Sequence, residues 1–217
     1  MIRFSHVGKS YRVGALKRVV LDDISFNFQP GYSYAILGVN GAGKSTSIRL
    51  IAGTELPNRG RITRTTRVSW PLGFQAGLHP IMSGAENLRF VARVYGEDEY
   101  RVLHFVADFA EIGPYLNAPV ATYSTGMRAR LAFGLSMAID FECYLIDEIL
   151  GVGDAQFQQR CRAEFARRRR FSDIIMASHD LGAVKTYCDR GIVLAGGRFS
   201  YYENVDDAIE VYKKSHR

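Results

Sequence analysis

The chain has 217 residues, 28 Lys and Arg against 22 Asp and Glu, and a formal charge of +6. With 47% hydrophobic and 23% charged residues it can bury a sizeable core, which excludes a disordered or fibrous class and predicts one soluble globular domain with room for a modest insertion. No apolar run approaches the length of a bilayer span. The start, Met1-Ile2-Arg3-Phe4-Ser5, predicts no secretory signal. Three widely spaced cysteines, Cys143, Cys161 and Cys188, form no metal-ligand pattern and predict the reduced thiols of a cytosolic protein. The positive balance suits nucleic acid, an anionic membrane surface or an acidic partner. Its densest cluster, Arg167 to Arg170 with Arg160 and Arg162 before it, reads as a solvated helix face or as a patch drawn to a cytoplasmic leaflet.

In chain order, the first 30 residues read as strands and turns, with Ile24, Phe26 and Phe28 alternating with Ser25 and Asn27. Pro30-Gly31 breaks the chain before a short apolar strand, Tyr34 to Leu37. Gly38-Val39-Asn40-Gly41-Ala42-Gly43-Lys44-Ser45-Thr46 follows, leading into an apolar helix that stops at Gly53. Leu56 to Gly60 reads as a turn, and Arg61 to Val68 as one mostly exposed strand. From Ser83 the period becomes helical. Ser83-Gly84-Ala85-Glu86 fits a capping box, and a second helix sets Val102, Phe105, Val106 and Phe109 on one face before Gly113-Pro114. This block is expected to be an inserted helical subdomain, about residues 81–127, in a core of about 1–80 and 128–217. A third helix begins after Ser124-Thr125-Gly126, with Met127, Leu131, Leu135 and Ala138 on its face. Tyr144-Leu145-Ile146 leads to Asp147-Glu148, and Ile174 to Ala177 leads to Ser178-His179. Both read as buried parallel strands with functional groups at their C-terminal ends. A hairpin around Ala195 to Arg198 and an amphipathic helix carrying Val205, Ala208, Ile209 and Tyr212 close the chain.

Strand, glycine-rich loop and helix around Gly38 to Thr46 occur in the order of a phosphate-binding loop. Such a loop must turn tightly and aim consecutive N–H groups at phosphate oxygens. The helix start adds partial positive charge, Lys44 can reach terminal phosphates, and the Ser45 hydroxyl suits the Mg²⁺ that travels with a nucleotide. Asp147 and Glu148 are neighbours on a strand and so point to opposite sides. One carboxylate can hold Mg²⁺ through water while the other orients and deprotonates a water for attack on the γ-phosphate. An acidic pair elsewhere is ordinarily surface charge. His179 ends the next strand in the same manner, where a donor to the developing phosphate charge is needed, although a lone histidine is more often structural. Ser124 reads as an N-cap, and Ser124, Thr125, Gly126 and Met127 at a helix start also form an anion site.

These pieces in this order resemble the ATPase subunits of ABC transporters: Gly38 to Thr46 as the P-loop, Tyr123 to Met127 as the signature, Tyr144 to Glu148 as the magnesium and base strand, and Ser178-His179 as the switch histidine. The resemblance covers essentially the whole chain. It implies an α/β P-loop ATPase fold with an antiparallel N-terminal β-subdomain and an inserted helical subdomain, with ATP and Mg²⁺ as cofactors. It also implies a head-to-tail dimer with a second copy, in which Ser124 and Gly126 meet the ATP held by the other P-loop. Tyr11 stands where the family has an aromatic stacked on adenine, a contact worth about 1–3 kcal/mol, the alternative being a buried strand tyrosine. Asp154, in Gly151-Val152-Gly153-Asp154, is what this chain keeps of the family's Ser-Ala-Leu-Asp loop at the dimer interface. Gln75 is favoured as the glutamine that contacts nucleotide and metal and couples to the membrane partner, with His79 as the alternative.

A closer resemblance, carried by Ser69 to Gly73, Ser124 to Phe133 and Tyr144 to Glu148, is to the ATP-binding subunits of bacterial capsular-polysaccharide exporters, the polysialic-acid type above all. It implies an ATP-hydrolysing subunit held peripherally at the cytoplasmic face of the inner membrane by a separate transmembrane permease, which contacts most of the glycan. Export of another glycan, teichoic acid or O-antigen, is the alternative; the short chain after the final helix argues against O-antigen exporters with an added sugar-binding domain. A soluble ATPase acting on nucleic acid is the more distant one, and no nucleic-acid partner is expected.

Overall fold

The structure, a computed structural model, describes residues 1–14, 16–72, 77–147 and 153–215. Its backbone contacts form two units: Met1–Pro71 with Phe141–Glu148 and Phe171–Arg217, and Leu72–Asp140 with Ile149–Arg170.

The first unit opens with β1 (Ile2–Val13), β2 (Leu16–Phe28), β3 (Tyr34–Leu37), α1 (Lys44–Ala52), β4 (Arg59–Arg64) and β5 (Val68–Leu72). β2, β1 and β4 make an antiparallel sheet in that order. The alternation read at the end of β2 is realised, with Ile24 and Phe28 buried and Ser25 and Asn27 exposed. The inward aromatic residues form one cluster: Phe28 packs edge-on against Phe4, Phe26 and Tyr34, and Phe26 against Phe199, at centroid distances of 4.8–6.0 Å.

The second sheet adds β6 (Cys143–Asp147), β7 (Asp173–Ala177), β8 (Arg190–Ala195) and β9 (Arg198–Tyr202), in the order β5-β6-β7-β3-β8-β9. β6, β7, β3 and β8 run parallel, and all four residues of β3 are buried, as continuous apolar runs covered on both faces require. β8 and β9 form the expected closing hairpin. Around the sheet lie α6 (Leu181–Tyr187) and α7 (Val205–Lys214). α7 buries Val205, Ala208 and Ile209, and its seat on β8 depends on Gly191, where an added Cβ would lie 2.1 Å from the Ala208 Cβ.

The single strand read over Arg61 to Val68 is instead two strands in two sheets. β4 pairs with β1, and the Thr65 amide donates to the Met1 carbonyl at 3.0 Å. Arg67 then faces the other sheet, its amide donating to Glu142 Oε1 and its carbonyl accepting from the Glu142 amide. β5 is an edge strand, which is why Pro71 is tolerated within it.

The second unit holds α2 (Gly84–Tyr95), α3 (Glu99–Ala110), α4 (Thr125–Ala138) and α5 (Ala155–Arg168). Ser83 and Glu86 form the expected capping box on α2. α3 buries Val102, Val106 and Phe109, but it stops at Ala110, where Glu111 takes a left-handed conformation with φ 52°; Gly113-Pro114 begins a separate 3₁₀ turn. α4 is buried on every side from Leu131 to Ala138 rather than on one face. On α5, Arg167 and Arg168 pair with Glu164, Arg168 also with Asp140, and Arg160 with Glu111. Much of the arginine cluster is therefore matched by acids of its own unit.

Cys143, Cys161 and Cys188 are buried free thiols; burial pushes Cys143 up and Cys161 up to about 12, so neither of these two is poised as a nucleophile. Among the described residues no helix is long and apolar enough to cross a membrane. Gly191→Ala is expected to lower stability by about 1–3 kcal/mol through overpacking against Ala208. A denaturant titration checks this, and an unshifted midpoint would show that α7 does not depend on that close approach.

Candidate active site

Parallel register assembles the site. Asp147 on β6 stands level with Ala177 on β7, and Ala177 with Ile36 on β3. At that level and just beyond it, the three neighbouring strands deliver Asp147, then Ser178-His179, then the loop Gly38 to Gly43, to the carboxyl ends of the sheet. Ligands of α/β sheets bind outside the carboxyl ends of strands, and here a cleft of about 590 Å³ opens there, lined by Tyr11, Arg18, Lys44, Ser45, Asp147 and His179 among others.

The loop wraps the start of α1. Gly43 sits at φ 114°, which a side chain rarely adopts, and an added Cβ would meet Val20 Cγ1 at 2.3 Å. Gly43 offers no side-chain cap, so amides of the first turn remain directed at the loop. Val39, Asn40 and Gly41 are exposed, while Ala42 packs against the core and its amide donates to the Val39 carbonyl at 3.0 Å. Lys44 is buried, and its Nζ donates to the carbonyls of Gly38 at 2.7 Å and Val39 at 3.2 Å. Such an ammonium lies within the loop where phosphate oxygens would compete for it. Ser45 Oγ donates to Asp147 Oδ1 at 2.9 Å. This couples the loop's helix directly to the end of β6.

That pair also answers whether the residues present fit Mg²⁺. A hydroxyl and a carboxylate are the hard oxygen donors the ion prefers. Among the described residues no group of three or more His, Cys, Asp or Glu side chains could hold a metal alone. The donor set therefore fits an ion that arrives with phosphate oxygens and keeps waters, as Mg²⁺ does.

Tyr11 lines the same cleft and is tied down behind it. Its hydroxyl donates to Glu55 Oε1 at 2.7 Å and lies 3.2 Å from Thr46 Oγ1. Lys9 and Arg49 also bond Glu55, at 2.8 and 3.1 Å. Burial works to raise the Glu55 carboxyl, but the hydrogen bonds from Lys9, Tyr11 and Arg49 outweigh it and lower the group from 4.5 to about 2.

In the second unit, Ser124 caps α4, its Oγ accepting from the Met127 amide at 3.2 Å. Thr125 and Gly126 are exposed, and the space around Gly126 is open. Asp154 caps α5 and pairs with Arg130 at 2.5 Å. The Phe157 amide and then Arg130 hold its carboxyl below the usual range. Gln75 and Glu148 lie outside the described residues. His79 is exposed, with its backbone bracketed by the Asn87 side chain.

Two features of the cleft escaped sequence reasoning. Arg18 donates to the Gly41 carbonyl at 2.7 Å, and it stands opposite Tyr11 across the β1–β2 pair, a register that residue types alone do not reveal. Glu55, just beyond α1, carries no motif signal at all.

Comparison with known proteins adds three findings. A family model described as ABC transporter matches residues 21–151. The capsule polysaccharide export ATP-binding protein CtrD of Neisseria meningitidis serogroup B is 47% identical over 212 residues, covering 98% of both chains; a polysialic acid transport ATP-binding protein KpsT of Escherichia coli is 45% identical over 217 residues, covering 99% of both. An ATP-binding cassette solved as a dimer in a post-hydrolysis state with ADP and Pi superposes with a TM-score of 0.75, at 18% identity, over 94% of this chain and 98% of its own; this likeness concerns the fold.

The Glu55 carboxyl is lower in the folded chain than its ordinary value, so its stabilisation is present above about pH 4.5 and is lost as pH falls towards about 2. Glu55→Gln is expected to cost up to roughly 3 kcal/mol at neutral pH. Denaturant titrations at several pH values check this: the gap to wild type should close on acidification through that window, and a gap independent of pH would contradict it.

Proposed function

The chain belongs to the ABC transporter family, and on that premise we propose that it is the ATP-hydrolysing subunit of an exporter for capsular polysaccharide. Two copies meet head to tail around two ATP molecules at the inner face of the inner membrane and drive a separate membrane-spanning permease, which contacts most of the glycan. The observation that carries the hydrolytic reading is the Ser45 Oγ–Asp147 Oδ1 bond, which joins the phosphate loop to the strand end bearing the acidic pair. The glycan reading draws on full-length relatives whose names specify capsule polysaccharide and polysialic acid.

The chemistry follows from placement. The amides of Gly41, Gly43 and Lys44 and the partial positive charge of α1 receive the β- and γ-phosphates, while the Ala42 amide closes the loop on Val39 and Lys44 exchanges its carbonyl partners for phosphate oxygens. Tyr11, its hydroxyl anchored on Glu55, presents its ring to the adenine. Ser45 and Asp147 would hold Mg²⁺, with Gln75 completing the metal and nucleotide contacts, and the ion would supply neutralisation of charge on the phosphate oxygens. Glu148, one residue beyond Asp147, orients a water and takes its proton as that water attacks the γ-phosphorus. His179 donates to a γ-phosphate oxygen and so stabilises charge in the transition state. The helical segment, about residues 81–127, is the lobe that presents the signature. Ser124, Thr125, Gly126 and Met127 of one copy close the site of the other, where the open space at Gly126 leaves room for a phosphate. Asp154 lies at the same interface.

Glu148→Gln is expected to bind ATP, to accumulate as an ATP-dependent dimer in size-exclusion chromatography, and to lose turnover by about a hundredfold or more. Lys44→Ala is expected to lose ATP affinity and to fail to restore surface polysaccharide in a strain lacking its own copy. Wild-type turnover by Glu148→Gln would overturn the base assignment. Restored surface polysaccharide with Lys44→Ala would overturn the coupling of nucleotide to export.

A further inference from the structure

His179 is exposed at the mouth of the cleft, but its surroundings are built. The turn that carries it is closed by Ser178 Oγ, which accepts from the Asp180 amide at 3.1 Å, and by Asp180 Oδ1, which accepts from the amides of Gly182 and Ala183 at the start of α6. These bonds fix the backbone on both sides of His179 and leave its ring orientation to other contacts. One contact comes from the last helix of the chain: His179 Nδ1 lies 3.3 Å from the Tyr212 hydroxyl.

That meeting is prepared by the packing of α7. Gly191 admits Ala208 into direct contact with β8, and Tyr212 follows Ala208 by four residues, on the same helix face. The helix is held at its start as well, where Asn204 Oδ1 accepts from the Asp206 amide and Lys185 of α6 pairs with Asp206 at 2.5 Å. The tyrosine therefore reaches the histidine from a rigid, sheet-anchored element.

We propose that the Tyr212 hydroxyl donates to Nδ1 of His179 and thereby holds the imidazole in the tautomer whose Nε2 bears the proton, facing the terminal phosphate; Tyr212 is a positioning residue for phosphoryl transfer. The proposal rests on the reading of His179 as a γ-phosphate contact. A neutral imidazole has one donor and one acceptor nitrogen. With the proton on Nδ1, the ring would turn a lone pair on the phosphate oxygens and repel them. With Nδ1 engaged as an acceptor, Nε2–H becomes the donor that the phosphate charge needs. A phenol hydroxyl donates more readily than it accepts, so the contact with Tyr212 favours the second state and limits rotation of the ring, which puts the donor in place before chemistry begins.

The test uses the full chain labelled with ¹⁵N-histidine and long-range ¹H–¹⁵N correlation in alkaline buffer, with the His179 signals assigned by their loss in His179→Gln. Wild type is expected to show an unprotonated Nδ1 and a protonated Nε2, and Tyr212→Phe to move both nitrogens towards an exchanging mixture. Tyr212→Phe is further expected to lower ATP turnover about three- to tenfold with KM for ATP unchanged within about twofold. It should cost nothing more in a His179→Ala background. A protonated Nδ1 in wild type, or tautomers indifferent to Tyr212→Phe, would overturn the proposal. A shifted tautomer with unchanged turnover would overturn its catalytic part. Full turnover by His179→Ala would instead overturn the γ-phosphate reading, and the tautomer measurement would still stand on its own.

Discussion

The hydrogen bond between Ser45 and Asp147 is where loop, helix and sheet become one site, and it exists because three parallel strands end level with one another. β3 releases the phosphate loop, β6 releases Asp147 and β7 releases His179, all from the same edge. A slip of one residue in the β6–β7 register would turn the alternate side chains to the other face and remove Asp147 from Ser45. The buried apolar runs that hold the register, Tyr144 to Ile146 and Ile174 to Ala177, thus set where the polar groups of the cleft stand.

Around that edge the chain spends polar groups in layers. Lys44 and Ser45 point into the cleft, Tyr11 borders it, and Glu55 with Lys9 and Arg49 stands behind Tyr11. Glu55 remains ionised at a cost in desolvation that three donors offset. On the far side α7 performs the equivalent service for His179. Its tight seat at Gly191 converts sheet packing into the placement of one hydroxyl. In the helical unit the same economy uses caps: Ser83, Ser124 and Asp154 each fix a helix start, and two of the three are also candidate site residues.

The parts most legible in the sequence were those governed by local rules. Gly38 to Ser45 needed only spacing and flanking periodicity, Ser83-Gly84-Ala85-Glu86 needed only cap chemistry, and the closing hairpin needed only its turn. What stayed hidden depends on partners distant in sequence. Arg61 to Val68 gives no sign that the chain changes sheets at Thr65 to Arg67, because the groups that receive it there are Met1 and Glu142. α4 reads as amphipathic until its whole second half proves buried. The short helix α6 offers too few turns for a period to emerge. Arg18, Glu55 and Tyr212 carry no motif, and their proximity to the cleft comes from strand register, a helix end and a helix–sheet contact.

If the bond from Ser45 to Asp147 marks the protein's share of a magnesium–nucleotide site, the two residues must act on Mg²⁺ together. Calorimetric titration of ATP with and without Mg²⁺ into wild type, Ser45→Ala, Asp147→Asn and the double variant measures it. Mg²⁺ should tighten ATP binding in wild type, each single substitution should remove most of that gain, and the double substitution should remove little more. A magnesium-dependent gain that survives in both single variants would contradict the account.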